Sequence, residues 1–214
     1  DSGLVLQGNA YSNTFVGANS GKAVTTGVQN PFAGDGAGDA FNDADNNVAI
    51  GAFALSTETN NNGNTAVGAE ALGNQNVGGA GDARNSALGF QAGAAVTDGQ
   101  RNTLIGGLAG GSLTEGDFNV ALGYLAADHS VDLTTGSSNT IIGAFCHTSA
   151  AASTQQIVIG HDVTGNADNS FCFGNQGTDS AIAFGATSIS APSDERYKED
   201  IADATAGLSF IKDL

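Results

Sequence analysis

The sequence predicts an all-β chain wound into a parallel β-solenoid with coils of about 17 residues. Three observations predict it. A short unit of strand plus glycine recurs along the chain. The 214 residues include 32 Gly but no Met and no Trp, with only 11 Phe and 3 Tyr, too few large side chains for a conventional globular core. And the recurring strand carries no charge on either of its faces.

The unit begins with Asn, passes through small and aliphatic residues and ends on Gly. Its copies run from Asn13 to Gly17, Asn47 to Gly51, Asn64 to Gly68, Asn85 to Gly89, Asn102 to Gly106, Asn119 to Gly123 and Asn139 to Gly143. Looser copies lie at Gln156 to Gly160, Asn169 to Gly174 and Ile182 to Gly185. From Gly51 to Gly160 the anchor glycines are spaced 17, 21, 17, 17, 20 and 17 residues apart, and Asn30 to Gly34 reads as a degraded copy at the middle of the first long gap. Such a period is too short for a helical hairpin, whereas β-branched residues ending at a Gly turn read as one short strand per coil.

Strand alternation then assigns faces. The large apolar residue before each anchor (Val16, Ile50, Val67, Leu88, Ile105, Leu122, Ile142, Ile159, Phe173, Phe184) is expected to point into the coil. The intervening row (Phe15, Ala49, Ala66, Ala87, Leu104, Ala121, Ile141, Val158, Cys172) is expected outside, and being apolar it calls for a second partner. The simplest partner is the chain itself, so a homotrimer is expected. Three residues after each anchor, Ser20, Ala54, Ala71, Ala92, Ala109, Ala126, Cys146 and Val163 mark a small, buried turn-back position. The organisation expected is N-terminal coils with a long acidic insertion over 1–46 (Val28 to Asn46), a repeat shaft over 47–189, and a distinct segment over 190–214. Shorter insertions near Gly79 to Arg84 and His129 to Ser137 should decorate the surface.

Charge narrows the partners. Of 22 acidic and 6 basic residues, three of the bases (Arg196, Lys198, Lys212) fall at the C-terminal end, leaving residues 1–192 with a net charge of −13. That field repels phosphate backbones and anionic membrane surfaces, so no nucleic-acid partner is expected. Apolar runs fall short of the ~20 residues that span a bilayer, so neither is membrane insertion. With no initiator Met, the chain reads as processed or excerpted.

The repeated Asn-Thr-Ala-Val-Gly and Asn-Val-Ala-Ile-Gly units resemble the head repeats of trimeric autotransporter adhesins and of phage tail fibres, over most of residues 13–185. The resemblance implies a left-handed parallel β-roll trimer. The stretch Ser193-Asp194-Glu195-Arg196-Tyr197-Lys198-Glu199-Asp200-Ile201 resembles the start of the self-cleaving intramolecular chaperone domain that ends phage tail spikes and related fibres. By that resemblance Ser193 is the nucleophile, Lys198 its base and Pro192–Ser193 the bond cut. A lysine acts as a base only when burial lowers its pKa, which a folded trimer supplies. This is a single self-cleavage, not turnover. Residues 202–214 place Leu208, Ile211 and Leu214 at helical spacing, a short helical segment in which the chaperone is truncated. Together the two resemblances imply a structural and host-attachment part of a phage tail fibre, located on the virion tail or otherwise outside the cell. Its expected partners are its own copies and a host receptor or glycan. The alternatives are a bacterial adhesin head and a polysaccharide-degrading spike.

Individual residues add less. Cys146 and Cys172 occupy repeat slots and read as small buried residues rather than a zinc pair. His129, His147 and His161 lie in or near turns. Asp35, Asp39, Asp43 and Asp45 form the one candidate metal group, suited to calcium, although a solvated acidic loop explains them as well; no other cofactor is expected. The repeated Asn is expected to stack as a hydrogen-bonded ladder. Glycoside cleavage needs paired carboxylates beside sugar-stacking aromatics, and Glu58, Glu70 and Glu115 supply no such pair.

Overall fold

The computed structural model describes residues 10–78 and 81–186. Ten parallel strands stack one above the next and form, with one final antiparallel strand, an eleven-stranded sheet. The strands run Thr14–Val16, Pro31–Ala33, Val48–Ile50, Thr65–Val67, Ser86–Leu88, Thr103–Ile105, Val120–Leu122, Thr140–Ile142, Gln156–His161 and Ser170–Asn175. Each pairs in register with the copy of itself in the next coil, as in Val48↔Thr65, Ala49↔Ala66 and Ile50↔Val67. The described residues contain no helix. This is the expected β-solenoid; the expected C-terminal helical segment lies outside the described residues.

The anchor glycines hold the coils at stacking distance. Gly68 has φ +139°, a region closed to side-chain-bearing residues, and a Cβ there would meet the carbonyl of Gly89 in the next coil well inside contact distance. The same overlap recurs from Gly17 to Gly143, so the row is a backbone-on-backbone contact that only Gly permits. The period is therefore a packing requirement.

The expected facing of the strand is corrected. Ala49, Ala66, Ala87, Leu104, Ala121, Ile141, Val158 and Cys172 point into the coil and are buried, and the residues before each anchor point out. A three-residue strand offers one inward position, and the coil is too narrow to fill it with a large side chain in every turn. Inward size is instead shared with the residue six positions on. Where the strand carries Phe15, Phe32 or Leu104, the facing residue is Gly21, Gly38 or Gly110, and a Cβ there would strike the ring or methyl group. Where it carries Ala49 or Ala66, the facing residue is Leu55 or Leu72, both fully buried. In these five coils a large residue at one of the two positions is met by a small one at the other. The turn-back row is buried as expected.

The asparagine ladder forms. Asn30, Asn47, Asn64, Asn85, Asn102, Asn119, Asn139 and Gln156 each donate their backbone N–H to the side-chain oxygen of the preceding copy at 2.8–3.0 Å. Several side-chain amides also donate across the coil, as Asn102 Nδ2 does to Gly116 O at 2.8 Å and Asn139 Nδ2 to Ser153 O at 2.7 Å. The row thus ties each coil both to its neighbour and to itself.

Two further expectations are corrected. The stretch from Val28 to Asn46 is not a long insertion: Pro31–Ala33 pairs with strands on both sides and the stretch is an ordinary coil. Pro31 sits at the first strand position, where its missing N–H is tolerated, and pairing with the next strand begins only at Phe32. Ile182 to Gly185 is not another coil either. Ser180–Ala183 folds back antiparallel on Ser170–Phe173 and is the edge strand of the sheet among the described residues. The insertion at His129 forms the antiparallel pair Asp128–His129 and Val131–Asp132.

Candidate functional site

The outer face of the sheet is the most unusual surface of the chain. Val16, Ile50, Leu88, Leu122 and Ile159 are 60%, 45%, 51%, 41% and 37% exposed, and between them Val67, Ile105 and Ile142 are half-buried. The other outward position of each strand holds Thr14, Pro31, Val48, Thr65, Ser86, Thr103, Val120, Thr140 or Ile157. No charge interrupts this face although the chain carries a net charge of −16. At ~4.8 Å per rung the apolar band is roughly 40 Å long.

Two corners border this face in every coil, both in the left-handed backbone region. Before the strand stand Gln29, Asn46, Arg84, Arg101, Phe118, Ser138 and Gln155, with φ of 53–62°. After the anchor stand Asn19, Phe53, Glu70, Gln91, Leu108, Leu125, Phe145 and Asp162, with φ of 53–62°. The Arg101 guanidinium lies 5.2 Å above the Phe118 ring, and Arg84 pairs with Asp82 on the surface. Nothing in the repeat pattern pointed to Arg101 or Phe118, because neither residue type favours the conformation it adopts here.

All three histidines converge near one aromatic ring. Phe145 makes edge contacts with His129 and His161 at centroid distances of 5.0 and 5.7 Å, and with Tyr124 at 5.5 Å. His147 is 6.1 Å from His129, and its Nε2 lies 3.3 Å from Thr164 Oγ1. His129 Nε2 lies 3.8 Å from Asp162. Among the described residues no group of three or more His, Cys, Asp or Glu is placed to hold a metal ion. The sequence-predicted group Asp35, Asp39, Asp43 and Asp45 is not gathered: the four are spread around one coil. Asp45 accepts the Val28 N–H at 2.8 Å, and burial pushes the Asp39 carboxyl up against the opposing pull of a backbone hydrogen bond and of Lys22.

Glu58, weighed in the sequence as a possible catalytic acid, is fully buried inside the coil. Its Oε1 accepts from the N–H of Thr59, Asn60 and Asn61 and from Asn61 Nδ2 at 2.8–3.1 Å, and its Oε2 from Gln75 Nε2 at 3.0 Å. It fills the slot held elsewhere by Val24, Phe41, Val96, Leu113 and Leu133, and that substitution in a regular row was the legible sign of an interior polar pair. No substrate reaches it. Ser193, Lys198 and the chaperone-like segment 190–214 lie outside the described residues.

Cys146 and Cys172 are free and buried in repeat slots, as read from the sequence, and burial pushes the Cys146 thiol up. Both are expected to resist a thiol reagent in the native protein and to react fully once the chain is denatured. Rapid native labelling would contradict the packing described.

No protein-family model matches the chain, and neither a curated protein nor a solved structure matches it.

Proposed function

We propose that this chain is a length of shaft from a homotrimeric extracellular fibre of the phage tail-fibre kind, whose rigid stack of coils carries a host-attachment surface. The observation that supports this reading is the outward apolar band along the sheet. Covering an exposed Leu or Ile side chain yields on the order of 1 kcal/mol each, so eight or nine rungs together offset the entropy of association. A repeated, uncharged band on a strongly acidic chain is best met by a surface with the same rung spacing, which a second copy supplies. Three copies around an axis parallel to the stack cover all three bands and leave none over. The acidic remainder keeps the fibre soluble and repels other polyanions. The C-terminal resemblance fits the same assignment: cleavage before Ser193 would remove a chaperone once the trimer has formed.

The experiment is Leu88→Asp with Leu122→Asp. Both side chains lie outside the coil, so the stack itself should fold with its β-sheet circular dichroism intact, while native mass falls from three chains to one. A double variant that stays trimeric would remove the band from the interface and this reading with it.

A further inference from the structure

Away from the apolar band, three successive coils build a cleft. Phe53, Ser56, Glu70, Gly73, Asn74 and Ala94 surround about 220 Å³ that opens to solvent. The space is left by Gly73: five positions after the anchor, other coils place Lys22, Asp39 or Asp128 where this coil has no side chain. On one flank the Phe53 ring, 49% exposed, lies so close over Gly36 of the preceding coil that a Cβ there would strike it. We infer that the cleft binds one neutral hexose ring of a glycan, a site separate from the apolar band that deepens the attachment reading by giving it a ligand class.

Size and polarity point the same way. The volume admits a single sugar ring and falls short of a drug-sized site. A half-exposed phenyl ring presents an apolar, slightly negative face to the C–H groups of a pyranose. Beside it stand groups with hydrogen-bonding capacity to spare. Glu70 Oε2 accepts from Gln91 Nε2 at 2.7 Å, and its other carboxylate oxygen has no partner among the described residues and is open to sugar hydroxyls. Ser56 Oγ donates to Gly73 O at 3.2 Å and keeps its lone pairs, and exposed Asn74 supplies a donor and an acceptor. Several hydroxyls on one ring match this mixed set, whereas a lone ammonium would use the carboxylate only. Charge excludes the acidic sugars. No Lys or Arg borders the cleft, and Glu70 with the net charge of −13 over residues 1–192 repels uronates, sialates and phosphorylated sugars. All six residues belong to one chain, and Ser56, Gly73, Asn74 and Ala94 lie past the buried turn-back row, so three-fold packing through the band leaves the cleft open.

The test is saturation-transfer NMR of the full chain with the methyl glycosides of glucose, galactose and mannose, and with methyl glucuronide and glucosamine. At least one neutral glycoside should bind, with a dissociation constant on the order of 1 mM, and the glucuronide should not. Gly73→Gln fills the cleft at a row position where Lys22 is accommodated, and should abolish the signal. Glu70→Ala, on an exposed side chain, should weaken binding about tenfold. Glu115→Ala, the same change outside the cleft, should leave binding as it was. Circular dichroism checks the fold of each variant, and Glu70→Ala carries the test if Gly73→Gln does not fold. Binding by none of the neutral glycosides, binding unaltered in Glu70→Ala, or a glucuronide held as tightly as the neutral sugars would each overturn the assignment. Glucosamine alone binding would make this a cation site and overturn it too. Native mass reads separately: sugar binding by a single chain would uphold the cleft and overturn the trimer, and a trimer without sugar binding would do the reverse.

Discussion

Gly68→Ala should lower the stability of the shaft by about 4 kcal/mol, among the largest effects available to a single methyl group. The φ of +139° excludes a side chain on its own account, and the added carbon would overlap the Gly89 carbonyl of the next coil, which is backbone and cannot rotate away. Relief requires the two coils to separate, breaking pairs such as the Gly89 N–H to Val67 O bond of 2.8 Å and the Gln91 N–H to Ala69 O bond of 2.9 Å. For a chain of this length a loss of that size lowers the thermal midpoint by roughly 10 °C. Gly78→Ala is the control: nothing lies within 4 Å of the added carbon, and the midpoint should hardly move. Equal midpoints for the two variants would mean that the anchor row does not set the stacking.

Asn102→Leu should cost a similar amount by a different route. The substitution keeps the branching at Cγ but removes the oxygen that accepts the Asn119 N–H at 2.9 Å and the Asn119 side-chain amide at 3.2 Å. It also removes the amide that donates to Gly116 O at 2.8 Å. Two buried backbone groups lose their partners inside a coil without room for water, at about 1–3 kcal/mol each. Thr103→Val, on the neighbouring outward position, leaves the ladder untouched and should be nearly neutral. Denaturant titration of the three proteins checks the ranking, and an Asn102→Leu midpoint equal to wild type would show that the ladder carries no stability.

The repeat was legible in the sequence because its two fixed residues answer to strict requirements: Gly at a backbone-on-backbone contact, and Asn where one side chain must both donate and accept. The coil from Asn30 to Gly34 was half hidden because Pro31 interrupts the pattern at the one strand position that tolerates it. The facing of the strand was misread for a physical reason. Size was taken as the sign of burial, but the coil interior is filled jointly by Ala49 and Leu55, or by Phe32 and Gly38, while Leu88 and Leu122 stand outside. Only the stacked coils show that compensation between positions six apart. The bordering corners were invisible, since Phe118, Leu108 and Phe145 in the left-handed region leave no mark in composition. Of the candidate site, the need for a covered second face was readable; which row forms it was not.

Most directly, the account stands on the native mass of the intact chain in dilute buffer, measured by light scattering on a sizing column. It predicts three chains of 21.1 kDa travelling as one particle. A single chain of 21.1 kDa, with Leu88 and Leu122 open to water, would contradict it.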